Sequence, residues 1–149
     1  MKLRVHLDMS VFNALLDDRT PERREATEEF WGHIGDYDVS TSEVTVREIA
    51  ECTDDQRRVQ SAGLLDTVSI IELTAGMENL ANQYIAAGVF TMSRLDDALH
   101  VAAAVLTRHD LIIAWNFKHL VNRRRRSMIN AVGVSLGLPP VEIVSPLEL

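Results

Sequence analysis

The chain has 149 residues, of which 46% are apolar and 25% charged, a composition typical of one globular domain rather than of a disordered or fibrous protein. Its formal net charge of −7 argues against a protein that coats nucleic acid non-specifically, but it allows a local basic patch. The single cysteine, Cys52, can form no internal disulfide, and we interpret it as a small apolar residue in a reducing compartment. No export signal or membrane-spanning run is recognisable, so we expect a cytosolic protein.

The first part of the chain predicts a strand, two helices and a second strand. Lys2 to Leu7 is rich in apolar and β-branched residues, and Asp8 then opens an amphipathic helix. Thr20 precedes a proline and marks the start of a second helix, which ends at Gly35. A short strand is predicted from Asp38 to Thr41.

The middle of the chain continues this alternation. Ser42 is placed to cap a third helix, and the polar stretch from Thr53 to Gln60 predicts a further short helix with solvated faces. Thr67 to Leu73 is β-branched and predicts a strand, and Thr74 then caps a helix that runs to Gly88.

The last third predicts an alanine-rich helix from Ala98 to Leu106 with acids in its first turn, then a wholly apolar strand from Leu111 to Ala114. A final strand is predicted from Val141 to Val144. No repeat or linker divides residues 1–149, so we expect one domain. Strands that alternate with helices predict a mostly parallel sheet covered on both faces, with ligands at the carboxyl ends of its strands.

Four oxygen-bearing side chains are predicted to meet at this edge of the sheet. Asp8 and Asn116 each follow a strand, Asp97 opens a helix, and Glu48 lies on a polar helical position. Carboxylate and amide oxygens are the ligands that Mg²⁺ or Mn²⁺ prefers. Each acid alone also has a structural interpretation, because Asp8 and Asp97 could be helix N-caps and Glu48 a solvated surface residue.

The order and spacing of these residues resemble the PIN-domain family, and in particular its VapC-like toxin ribonucleases. VHLDMSVFNALL is similar to the first motif of the family, with Asp8 as its aspartate and Ser10 as its hydroxyl residue. TSEVTVREIAE, RLDDALHVAAA and IIAWNFKHL are similar to the next three motifs, and they contribute Glu48, Asp97 and Asn116. VEIVSPLEL resembles the last strand of such chains.

The resemblance implies a three-layer α/β/α, Rossmann-like fold and an endoribonuclease that cleaves single-stranded RNA with Mg²⁺ or Mn²⁺. It also implies a homodimer and, as a partner, the antitoxin of a toxin–antitoxin pair. On this assignment Asp8 and Asp97 hold the metal, and Glu48 positions or deprotonates the attacking water. Asn116 completes the site as a neutral group where many members of the family carry an acid. Ser10 and Asp96 support these residues from beside them.

Two neighbours of Asp97 have more than one interpretation. Asp96 and Asp97 point about 100° apart on a helix, so Asp96 is also interpreted as an N-cap or a first-turn charge. His100 lies one turn after Asp97 and is placed to hydrogen-bond to it, but we interpret it as a packed core residue and leave it out of the catalytic set.

The run Arg123 to Arg126 is the strongest positive cluster of the chain. It is interpreted either as a solvated surface or as a grip on RNA phosphates, for which Lys118, Arg123 and Arg124 are the candidate residues. Two other functions stay open. One is a PIN-like module that binds RNA without cleaving it, and the other is a small metal-dependent phosphatase, which the serine at position 10 disfavours.

Overall fold

A computed structural model describes residues 1–149 as a five-stranded parallel sheet with the strand order β3-β2-β1-β4-β5. The strands are β1 (Arg4–Leu7), β2 (Asp38–Ser42), β3 (Ser69–Ile71), β4 (Leu111–Ile113) and β5 (Glu142–Val144). The predicted parallel α/β fold is therefore confirmed. The strand predicted from Thr67 to Leu73 is shorter than expected, since β3 is an edge strand that pairs only with β2.

Seven helices connect and cover the strands. They are α1 (Met9–Leu16), α2 (Pro21–Gly32), α3 (Glu43–Ala50), α4 (Asp55–Leu65), α5 (Ala75–Ala86), α6 (Leu95–Leu106) and α7 (Arg123–Ser135). Asp8, Ser42 and Thr74 cap α1, α3 and α5 through their side chains, as the sequence predicts. The basic run opens α7, where Asn122 supplies the cap. None of the helices has the length and apolar character needed to cross a membrane.

The alternation of side chains along the strands builds two cores, one on each face of the sheet. Val5 and Leu7 of β1 pack with α1 and α2 on one face. Ile112 of β4 packs with α5, α6 and α7 on the other face. His6 lies between Val5 and Leu7 and therefore faces α6, where it is buried against His100 and His109. Because successive side chains of a strand point to opposite faces, the sheet binds helices on both sides and the fold has three layers.

The parallel register brings the carboxyl ends of β1, β2 and β4 to one edge of the sheet. His6 is paired with Ser40 of β2 and with Ile112 of β4. Asp8 follows β1 directly, and its backbone N–H donates to the Ile113 carbonyl of β4 at 3.4 Å. The helices α1, α3 and α6 begin at this edge, so it collects the residues that the sequence places after strands.

Candidate active site

Asp8 is held at the end of β1 by contacts with two other segments. Its Oδ1 accepts the Ser10 backbone N–H at 3.0 Å and also the Ser10 hydroxyl. The Ser10 hydroxyl oxygen in turn accepts the Trp115 backbone N–H at 2.8 Å. Asp8 is thus an N-cap, as one interpretation had it, and Ser10 ties this cap to the segment that follows β4. The Asp8 carboxylate is fixed in position and only 4% exposed.

Burial makes the negative charge of Asp8 unfavourable. The pKa of its carboxyl is raised from 3.8 to about 6, chiefly by loss of solvent, with Asp97 adding repulsion while His100 and Ser10 oppose the shift. The pKa of Asp97 is raised as well, again chiefly by burial, with His100, Arg94 and His119 opposing and Glu48 reinforcing the shift. Asp8 and Asp97 therefore share one environment in which burial disfavours their negative charges, and Glu48 adds repulsion at Asp97.

Asp97 lies in the first turn of α6, where Arg94 rather than an acid is the N-cap residue. The N-cap interpretation of Asp97 is therefore wrong. Its Oδ2 is buried and has no hydrogen-bond partner in the protein. A buried carboxylate oxygen without a donor is costly, so this atom is free to take a ligand.

Glu48 reaches the site from α3 and is oriented by a buried histidine. His100 of α6 donates from Nε2 to Oε1 of Glu48 at 3.3 Å. Its Nδ1 lies 3.1 Å from Nε2 of His6 and 3.4 Å from the Ser42 hydroxyl. His100 is buried, as expected, but its carboxylate partner is Glu48 and not Asp97. The Glu48 side chain stays 30% exposed, so the second oxygen can reach solvent.

His6 continues this polar layer beneath the sheet. Its pKa is well below the usual value because burial and the neighbouring His100 and His109 disfavour a positive charge. Neutral His6 can donate from Nε2 to Nδ1 of His100, and its own Nδ1 is buried without a partner. This arrangement leaves the proton of His100 on Nε2, where it faces Glu48.

Asn116 follows β4 and shapes the turn after it. Its Oδ1 accepts the His119 backbone N–H at 3.0 Å, and its backbone carbonyl accepts from Leu120 and Val121 at 3.0 and 2.8 Å. The amide oxygen therefore has one donor already. His119 is held by this turn close enough to Asp97 for their charges to influence each other's pKa. Burial and the charge of Arg94 lower the pKa of His119, so Asn116 positions an imidazole, and not a fixed positive charge, near Asp97.

The remaining predicted residues lie at the surface around the acids. Asp96 is exposed and pairs with Arg47 of α3 at 3.0 Å, so it is the first-turn charge of one interpretation and not an N-cap. The pair lies at the surface between α6 and α3, and an ion pair this exposed contributes little to stability. Lys118, Arg123 and Arg124 are exposed and form no ion pair. The rest of the basic run is structural.

A divalent cation suits the donor set, although it would rely on few protein ligands. No group of three or more His, Cys, Asp or Glu side chains is arranged to hold a metal ion. Two acids with raised pKa values and an unpartnered Asp97 oxygen nevertheless lie at one edge. Mg²⁺ commonly takes one or two carboxylates and keeps several waters, so Asp8 and Asp97 fit such a site.

Solved structures with the same architecture include toxins of the VapC type. A chain of VapBC from Salmonella typhimurium, in a DNA-bound crystal structure, superposes with a TM-score of 0.65 and 12% identity over 97% of this chain and 98% of that one. A chain of VapBC2 from Rickettsia felis, bound to a promoter DNA fragment, gives 0.61 and 11% over 96% and 98%. The chain has a PIN-domain, VapC-like fold.

The VapC-like fold is shared at very low sequence identity. VapC20 from Mycobacterium tuberculosis, a toxin that cleaves the Sarcin-Ricin loop, is 18% identical with a TM-score of 0.59 over 87% of this chain and 95% of that one. No protein-family model and no curated protein sequence matches the chain. The resemblance stated from the motifs is confirmed at the level of fold.

Sequence reasoning placed the acids but missed the groups that surround them. His6 and His119 lie on two different segments, and no spacing rule joins them to Glu48 or Asp97. His100 is recognisable one turn after Asp97, but its pairing with Glu48 is not. The one signal in the sequence was a polar residue at a core position, as at His6 within an otherwise apolar strand. A buried polar side chain requires partners, and such a position therefore indicates a second polar group across the layer.

Proposed function

We propose that the protein is a divalent-metal-dependent endoribonuclease that hydrolyses single-stranded RNA. The observation that carries this proposal is the edge shared by three acids, where Asp97 Oδ2 is buried without a partner and Asp8 has a pKa near 6. Such a cluster is unfavourable for the protein alone. It is favourable once a cation is bound, and this is the property expected of a metal-dependent hydrolase.

On this proposal Asp8 and Asp97 hold Mg²⁺ or Mn²⁺. The bound cation supplies positive charge to the scissile phosphate and lowers the pKa of water. Glu48 would orient the attacking water and take up its proton on Oε2, because Oε1 is occupied by His100, while the P–O ester bond to the leaving nucleotide breaks and its oxygen takes a proton from solvent. Ser10 keeps the Asp8 carboxylate in place, and Asn116 holds the turn that brings His119 towards Asp97.

The distribution of positive charge supports a nucleic-acid substrate. Most arginines are occupied by ion pairs or by backbone carbonyls, and the basic residues left without either are Lys2, Arg23, Arg94, Arg108, Lys118, Arg123 and Arg124. Lys2 and Arg108 lie at the amino end of the sheet. Arg94 is close enough to Asp97 to influence its pKa, Arg23 and Lys118 lie at the turn that follows β4, and Arg123 and Arg124 open α7. Free cations therefore lie on the segments that follow the acidic edge, where they could contact a phosphate backbone.

We further propose that the protein is the toxin of a toxin–antitoxin pair, acting in the cytosol as a homodimer with an antitoxin partner. The support is the VapC-like fold, since two of the similar chains come from VapBC complexes and the third is an RNA-cleaving toxin. Co-expression with the protein encoded beside it, followed by purification through a tag on that partner, tests this part.

A second candidate is a module of the same fold that binds RNA without cleaving it. It is favoured by Asn116, which brings no charge and whose amide oxygen already accepts the His119 N–H. The two candidates differ in turnover and not in binding. The phosphatase interpretation has no observation in its favour.

Cleavage of a labelled single-stranded RNA, followed with Mn²⁺, with Mg²⁺ and with EDTA, tests the proposal. We expect cleavage that depends on the metal and is abolished in Asp8→Asn, whereas Asp96→Asn, which removes an exposed neighbouring acid, keeps it. RNA binding without cleavage in every metal would support the non-cleaving module instead. Equal cleavage by wild type and Asp8→Asn, in preparations shown to lack contaminating nuclease, would contradict the assignment of Asp8 to the active site.

A further inference from the structure

An aromatic side chain beside Asn116 packs edge-on against a buried ring and is partly open to solvent. Phe117 follows Asn116 and is 42% exposed. Its ring lies 6.0 Å from that of the buried Trp115, at an interplanar angle of 67°. Trp115 is itself anchored, because its Nε1 donates to the Thr27 hydroxyl of α2 at 2.8 Å. Phe117 is therefore an exposed ring on a rigid support.

An unpaired arginine stacks on the same two rings. The Arg23 guanidinium of α2 lies 5.3 Å from the Phe117 ring centroid and 5.4 Å from that of Trp115. The adjacent Arg24 pairs with Asp18 and Glu28, whereas Arg23 has no acidic partner. Its position depends on aromatic contacts, which leaves the planar cation free to meet an anion.

Phe117 also forms the wall of a shallow groove. Phe117, Lys118, Arg124 and Met128 line it, between the turn after β4 and the first turns of α7. Both Lys118 and Arg124 are exposed and form no ion pair. The groove therefore combines one aromatic wall, one apolar side chain and two free cations. Its wall, Phe117, directly follows Asn116 in the chain.

We propose that Phe117, backed by Arg23, is a stacking subsite for one base of a single-stranded RNA, with Lys118 and Arg124 contacting the phosphates beside that base. The subsite deepens the proposed nuclease function and rests on it. Exposed rings interleaved with cations are the common means of holding unpaired nucleotides, since every base offers a π-face. The two exposed cations of the groove are complementary to phosphates, and the aromatic wall between them and Trp115 is complementary to a base, so the two features together favour an unpaired nucleotide as the occupant.

Two oligomers of equal charge separate stacking from phosphate contacts. In EDTA, to prevent cleavage, we would measure the affinity of labelled oligo(A) and of an abasic ribose-phosphate oligomer of the same length. Stacking of one base corresponds to roughly 5-fold or more in affinity. Wild type should prefer oligo(A) by at least that ratio. Phe117→Leu, which keeps apolar contact with Trp115, should lose most of the preference, and Phe117→Trp should retain it.

Arg23→Gln should weaken the binding of both oligomers, because it removes a charge as well as the support of the ring. Leu147→Ala and Lys2→Gln change an exposed apolar residue and a free cation away from the groove, and both should bind like wild type. Thermal melts establish that each variant is folded. An unchanged preference in Phe117→Leu would overturn the subsite, whether or not the wild type cleaves RNA with Mn²⁺. A wild type that neither binds nor cleaves RNA would overturn the proposed function and the subsite together.

Discussion

Nε2 of His100 lies 3.3 Å from Oε1 of Glu48, and this contact joins α6 to the acid on α3 that is proposed to activate water. His100 is in turn fixed by His6 at 3.1 Å, inside the core. The Glu48 carboxylate, whose side chain is 30% exposed, is thereby hydrogen-bonded to a buried partner. His100 acts through Glu48, so it is a positioning residue.

We expect His100→Ala to lower the cleavage rate by about 10-fold or more, because loosening a general base reduces its contribution to the rate. The affinity for RNA in EDTA should stay close to that of wild type, since His100 is buried away from the free cations. His100→Gln retains an N–H donor and should recover part of the rate. Equal decreases in rate and RNA affinity would indicate a general structural defect instead.

Asp8→Asn should stabilise the metal-free protein at neutral pH. The raised pKa means that the folded state binds more protons than the unfolded state between pH 3.8 and about 6, so this group lowers stability as the pH rises through that window. Asn removes the buried charge and still accepts both Ser10 hydrogen bonds. At about pH 7.5 the gain is up to about 3 kcal/mol, since one pKa unit is worth about 1.4 kcal/mol.

Urea unfolding at a series of pH values, in EDTA, measures this difference. The advantage of Asp8→Asn over wild type should shrink towards zero as the pH falls to about 4. The histidines with lowered pKa values act in the opposite direction in both proteins, so they cancel in the comparison. Asp96→Asn is the matched control and should show no such trend. A pH-independent difference would mean that the Asp8 charge is not the cause.

Asn116→Asp should tighten Mn²⁺ binding and lower the melting temperature of the metal-free protein. The new carboxylate still accepts the His119 N–H, so the turn is retained while one negative charge is added after β4, at the edge of the sheet that Asp8 shares. Calorimetric titration and thermal melts measure the two effects, which must occur together. Asn13→Asp adds the same charge on the exposed face of α1 and should cause neither. If Asn116→Asp differs from wild type neither in Mn²⁺ affinity nor in melting temperature, the Asn116 side chain faces away from the acids.

The basic run should divide into two functional halves. Arg125 donates to the Val89 carbonyl and covers the Phe90 ring at 5.2 Å, and Arg126 donates to the Ile143 carbonyl at 3.0 Å. Replacing this pair with Gln should lower the free energy of unfolding by about 1.5–3 kcal/mol for each lost hydrogen bond, the range for hydrogen bonds to charged groups. Replacing the exposed Arg123 and Arg124 should leave the stability close to that of wild type.

RNA affinity should depend on Arg123 and Arg124 and not on Arg125 and Arg126. Replacing Arg123 or Arg124 with Gln should reduce the magnitude of the slope of log affinity against log salt concentration. The reduction is about 0.7 for each RNA phosphate that the arginine neutralises. The Arg125 and Arg126 variant should keep the slope, provided that it is measured below its melting temperature. Fluorescence anisotropy across a salt series gives both values. A slope that falls equally in the two variants would contradict the division.

Local patterns in the sequence were sufficient for the order of the elements and for the residues that end them. Asp8, Ser42 and Thr74 cap helices as predicted, because an N-cap depends on contacts within two or three residues. Short-range patterns also show that Asp8 and Asn116 follow buried strands. The acid motifs were recognisable for this reason, and the fold that they imply is confirmed by structures of at most 18% identity.

The partners of these residues were decided only by tertiary structure. Whether His100 faces Asp97 or Glu48 depends on how α3 packs against α6, and that packing joins residues 52 positions apart in the chain. The four consecutive arginines carry the same charge, yet only the crossing of α7 over Val89 and Ile143 separates the bound ones from the free ones. Periodicity specifies which face of a helix is buried, whereas the groups that meet across two faces depend on the relative placement of whole elements.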